Sequence, residues 1–135
     1  MSNRFSRFLP LFAIATGVAL VMATSAFKEA PKNKNGDTMI AFEYNAPGSD
    51  PNPYSQTNVE TLGNWQYTSD NSACTSGNVK ACKVYVSSAY VDGSGPSNYT
   101  LDPSYVITAS SGAVSHVTAT SDGSTSGTDF SNKPN

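Results

Sequence analysis

Few aliphatic side chains are available to build a core, and that scarcity narrows the folds open to this chain. From residue 27 onward, Leu, Ile, Val and Phe supply only 15 of 109 residues. A share under roughly 20% in these four types borders on the composition of disordered chains. Two features pull the other way. Net charge is small, and six of the seven tyrosines lie in or beside apolar runs, with the single Trp among them. Aromatic rings bury a large area per residue. The expectation is a small ordered centre with loose ends.

The first 26 residues are set aside because they have the three parts of an export signal in order. Arg4 and Arg7 form a short positive region, and an uncharged apolar stretch runs from Phe8 to Met22. Small residues follow, with Thr24 and Ala26 at the positions a signal peptidase reads, so cleavage is expected between Ala26 and Phe27. The apolar stretch is short for a membrane span, which needs roughly 20 residues, and Pro10 and Gly17 interrupt it. A membrane association is therefore expected only through the uncleaved signal segment. Loss of Arg4 and Arg7 moves the formal charge from -2 to -4. A mildly acidic chain has no electrostatic footprint for nucleic acid.

The two cysteines, Cys74 and Cys82, have seven residues between them. An exported chain resides where disulfides persist, and a thin core gains from a covalent staple. Turn-forming residues lie before and between them, in Asp70-Asn71-Ser72 and Thr75-Ser76-Gly77-Asn78, so the chain can reverse between the sulfurs. The spacing is not that of a CxxC redox site, and the lone His cannot complete a four-ligand zinc set. The pair reads as a structural disulfide clipping a hairpin-like loop.

Periodicity elsewhere is that of strands. Thr38 to Tyr44 is a short β-favouring run, and Trp65 alternates with Tyr67 on one strand face. Val79 to Val91 carries the strongest signal, with Lys80, Cys82, Val84 and Val86 on one side and Val79, Ala81, Lys83 and Tyr85 on the other. The natural pairing sets Trp65–Thr68 against Cys82–Val86 across the clipped loop. Tyr105–Ala109 and Ala113–Thr120 read as a second hairpin. One or two helical turns are expected between Tyr54 and Leu62, stopped by Gly63. The domain plan is a signal peptide over 1–26, a flexible leader over 27–37, a β-rich domain over 38–119 and a disordered tail over 120–135.

Catalytic chemistry needs a tuned acid, base or nucleophile, and the sequence offers few. His116 alternates with Val114 and Thr118 as a strand residue would. No Gly-x-Ser-x-Gly elbow is present. Oxygen side chains alternate between Asp122 and Asp129 in a loose echo of a calcium loop, but hydroxyls replace most carboxylates and the terminal Glu is missing. No metal, cofactor or catalytic residue is therefore expected, and the chain is read as not an enzyme. Trp65, Tyr67 and Tyr85 are the candidate ligand-facing residues, since their rings could stack on sugars.

The signal ending in Ser25-Ala26-Phe27, the Asn64-Trp65 pair with Tyr67, the close cysteines Cys74 and Cys82, and the Val/Tyr strand together resemble a family of short exported proteins of unknown function from Gram-negative bacteria. The resemblance covers roughly Met1 to Val91. It implies export and a disulfide, and it brings no activity with it. The resulting expectation is a mainly β protein of small, disulfide-clipped antiparallel hairpins or sheet, with an N-terminal signal helix and disordered termini. It would be periplasmic or secreted and would act as a structural or interaction module of the cell envelope. Its partner would be an envelope protein or a glycan, the latter bound through surface aromatics.

Overall fold

The computed structural model describes residues 38–135, so the expected signal, its cleavage point and the leader lie outside the described residues. The described chain is mainly β. A four-stranded antiparallel sheet has the order β2-β1-β3-β8, with β1 at Met39–Tyr44, β2 at Trp65–Tyr67, β3 at Lys80–Ser87 and β8 at Phe130–Lys133. Two further antiparallel pairs are β4 (Val91–Asp92) with β5 (Thr100–Leu101) and β6 (Ile107–Ala109) with β7 (Val117–Thr120). Among the described residues the single α-helix, α1 at Gln56–Glu60, matches the turns expected before Gly63.

β3 is the centre of the molecule. Its interior from Ala81 to Val86 is buried without a break. Val84 and Val86 face the main core with Phe42, Tyr44, Trp65 and Phe130. Tyr85 faces the other way, against Met39 and Ala41. A strand buried on both faces reads as a continuous apolar run, and the Val/Tyr composition supplies one.

The expected pairing of Trp65–Thr68 with Cys82–Val86 is corrected. β1 lies between them, pairing Tyr44 with Trp65 on one side and Met39 with Ser87 on the other. The physical reason is length. β1 matches β3 over five residue pairs and buries side chains on both faces, whereas the three-residue β2 would leave most of β3 unpaired. The connection between β2 and β3 is long enough to step across a strand.

The expected alternation along β3 holds only after Cys82. The register moves from Ala81↔Asn132 to Lys83↔Ser131, so Cys82 is the extra residue of a β-bulge. A bulge resets which face each side chain occupies. Ala81 consequently joins Val84 and Val86 in the main core. Its N–H leaves the ladder and donates to the Ser115 carbonyl at 3.0 Å. Cys82 bonds to Cys74, with the two Cα atoms 6.5 Å apart. Disulfides persist in oxidising compartments, which places the folded domain outside the reducing cytoplasm.

The tail expected to be disordered over 120–135 is corrected as well. Its last part is β8, where Phe130 is 4% exposed and Ser131 and Asn132 are buried. The composition argument counted apolar burial alone. Here the polar side chains hold the strand. Asn132 accepts from the Val117 N–H through Oδ1 at 3.0 Å and donates to the Val117 carbonyl through Nδ2 at 2.9 Å. Ser131 Oγ accepts from the Cys74 N–H at 2.9 Å. Gly77 must be a glycine for this to close, because a Cβ there would lie 2.3 Å from the Pro134 nitrogen.

Phe130→Ala tests the assignment of β8 to the core. A buried Phe truncated to Ala costs about 3–5 kcal/mol. Urea unfolding followed by Trp65 fluorescence should show a loss of that size, whereas a free tail would give none.

Candidate functional site

The expected ligand-facing aromatics separate once the fold is known. Trp65 is 4% exposed and Tyr85 is 1% exposed, so both are core residues. The Trp65 indole Nε1 donates to the Val59 carbonyl at 2.8 Å, and its ring packs 5.0 Å from Tyr44. Buried aromatics are structural anchors, so the ligand-facing expectation is corrected for Tyr85, while Trp65 is a core residue that keeps an edge at the groove beside Tyr67. Tyr67 differs. It is half-buried and packs edge-on against Phe42 at 6.4 Å and against Tyr99 at 5.3 Å.

Tyr67 and Tyr99 belong to a groove of about 410 Å³, also lined by Leu62, an edge of Trp65, Gln66, Pro96 and Leu101. Two local structures aim these residues at one another. On one side, α1 starts at Ser55, whose Oγ accepts from the Asn58 N–H, and ends at Thr61. A 3-10 turn over Leu62–Asn64 then leads into β2. On the other side, Gly93 takes a φ of 106°, and a Cβ there would lie 2.3 Å from the Asn98 carbonyl oxygen. That turn lets the segment from Asp92 to Tyr99 close on itself and carry Pro96 and Tyr99 to the groove.

β2 forms the groove's rim and is an outer strand of its sheet. Asn45 donates to the Asn64 carbonyl and Thr68 donates to the Ala41 carbonyl, which fixes the even-numbered residues of this strand toward β1. In an antiparallel pair the intervening residues then direct their backbone groups outward. The Trp65 N–H is used locally, donating to the Leu62 carbonyl. The Tyr67 N–H and the Trp65 and Tyr67 carbonyls point away from β1. The outer edges of the β6–β7 pair are covered by side chains. Glu60 Oε1 accepts from the Ala109 N–H at 3.0 Å, and the Asn132 amide occupies both backbone groups of Val117.

The titratable groups are engaged in holding loops. Lys83 is 4% exposed, and its Nζ donates to the Asp70 carboxylate at 2.8 Å, the Asp70 carbonyl at 2.9 Å and the Ser72 carbonyl at 3.0 Å. The Lys83 ammonium and backbone hydrogen bonds hold the Asp70 carboxyl well below the usual carboxylate range. Asp122 accepts from the Ser87 N–H, and burial pushes its carboxyl up. Asp129 accepts from the Thr125 N–H. The 122–129 loop thus closes on the Asp129 carboxylate and is tied to β3 by Asp122. Among the described residues no three His, Cys, Asp or Glu side chains converge as a metal set. His116 stitches the β6–β7 loop, with Nδ1 3.1 Å from Ser110 Oγ and its backbone N–H donating to the same oxygen.

Sequence reasoning missed Leu62, Pro96, Tyr99 and Leu101. The run Asp92-Gly93-Ser94-Gly95-Pro96 is rich in turn formers, but what the loop it makes faces is set by non-local packing. No protein-family model, curated protein or solved structure matches the chain.

The Asp70–Lys83 contact makes a pH prediction. A carboxyl whose folded value is depressed contributes stability that is present above its unfolded value and drains away as pH falls through the folded one. Asp70→Asn should therefore lower the urea midpoint by a constant amount above about pH 5, and the gap to wild type should close toward about pH 2. Midpoints measured across that range check it.

Proposed function

We propose that this protein is a non-catalytic interaction module that works outside the cytoplasm, in the periplasm or after secretion, and docks an envelope partner along the β2 rim. The observation that carries this reading is the outward Tyr67 N–H and carbonyl beside a groove with the partly buried rings of Tyr67 and Tyr99. An extended segment can bond such an edge through its backbone while its side chains enter neighbouring pockets. The contrast with the β6–β7 pair supports it. Glu60 and Asn132 cap its outer edges, as proteins do where pairing must be prevented. The export signal and the resemblance to short exported Gram-negative proteins support the compartment.

The non-catalytic part rests on how the polar groups are used. Lys83, Asp122, Asp129, Asn132 and His116 each hold a neighbouring backbone or side-chain group. Enzyme groups instead converge on a place where a reacting atom can sit.

A photoreactive residue at Gln66, the exposed midpoint of β2, tests the docking rim in intact cells. A discrete adduct should form there and not from Thr118, an exposed position on β7. Tyr99→Ala should weaken binding of the captured partner by about tenfold, as loss of an aromatic anchor does. Equal or absent labelling at the two positions would contradict the proposal.

A further inference from the structure

A second feature lies outside the groove. Residues 38–135 contain three lysines and no arginine, against eight Asp and Glu. Lys83 is neutralised by Asp70, in the one ion pair formed among the described residues. The remaining two cations, Lys80 and Lys133, are brought together. The β3–β8 register sets them directly opposite each other. Like charges at directly opposed positions destabilise a sheet. The fold nevertheless places the only two unneutralised cations of this acidic domain side by side.

Both ammonium groups lie 5.4 Å from the centroid of the same ring, that of Tyr54. Their separation is therefore no more than twice that distance. The ring is held in place. It packs 5.3 Å from Tyr44, and the Tyr54 carbonyl accepts from the Ser115 N–H at 2.7 Å. All three residues are half-buried, and the shared Tyr54 ring holds both ammonium groups near it. An aromatic face attracts a cation, but it cannot satisfy the several N–H donors that two ammonium groups present. An oxygen-rich anion can, through charge-assisted hydrogen bonds to both.

We propose that Lys80 and Lys133, held over the Tyr54 ring, form a binding site for a single oxyanion: a sulfate, phosphate or carboxylate group. The surrounding negative charge selects against an extended polyanion, because the field away from this pair repels one. Holding both ammonium groups near one ring lowers the ordering cost of binding. This site is separate from the β2 rim and does not depend on the role proposed for it.

The test is a titration of the purified protein by ¹H–¹⁵N NMR at constant ionic strength, with sodium chloride as the balancing salt. Inorganic sulfate, inorganic phosphate and monomeric galacturonate serve as separate probes. Saturable shifts centred on Tyr54, Lys80 and Lys133 are expected, with affinity about tenfold lower in Lys133→Gln. Tighter binding of the uronate than of the inorganic ions makes the ligand sugar-borne, and equal or tighter binding of the inorganic ions makes it a free anion. Either supports the site. Shifts that do not saturate, or that are unchanged in the variant, overturn it. Melting temperatures in chloride alone give an independent readout. Lys133→Gln should be no less stable than wild type there, since it relieves repulsion. A lowered melting temperature would make the two lysines a structural clamp on Tyr54 and overturn the proposal.

Discussion

One buried ammonium group organises the chain around the central strand. Lys83 lies in the most buried stretch of the molecule, and a charge taken out of water is tolerated only with its donors satisfied. Its three N–H groups find three oxygens, all from the segment Asp70–Ser72. That requirement pins the connection between β2 and β3 over the outer face of the sheet. The path then leads to Cys74, whose N–H meets Ser131 and whose sulfur meets Cys82. The disulfide and β8 thus continue a route that the lysine begins. The disulfide also acts on the unfolded chain, where closing so short a loop is worth about 2.5 kcal/mol in the chain-entropy picture.

A second device compensates for the thin core. Polar side chains take the place of missing strands. The Asn132 amide pairs with both backbone groups of Val117 and so joins β8 to β7 without a continuous ladder. Glu60 ties α1 to the start of the β6–β7 loop in the same way. Satisfied polar groups of this kind add little net energy each, but an unsatisfied one costs more than it would gain. They specify one arrangement of three small sheets where apolar burial alone would leave several. They also cap strand edges, which makes the uncapped β2 rim stand out as a place for a partner.

The mainly β class, the clip between Cys74 and Cys82, the short helix before Gly63 and the β6–β7 hairpin were all legible in local pattern. Strand order was not. Trp65–Tyr67 and Cys82–Val86 are close in sequence and look like a hairpin, yet β1 offers β3 a longer match and displaces β2. The face of Ala81 was hidden by the bulge at Cys82, which periodicity cannot register. β8 was invisible because Ser131 and Asn132 look like linker residues until their partners are known. The site was legible at Tyr67 and at the edge of Trp65. Trp65 and Tyr85 have the composition of a binding surface and the burial of a core, and alternation alone does not separate the two.

The central role given to Lys83 is open to a direct chemical measurement. Acetylation of the native protein with a limiting, then excess, lysine-directed reagent, read by peptide mass spectrometry, reports the access of each ammonium group. Lys83 should stay unmodified when Lys80 and Lys133 are fully acetylated, and it should become reactive only on unfolding. Modification of Lys83 in step with those two lysines, with the fold intact, would contradict the account.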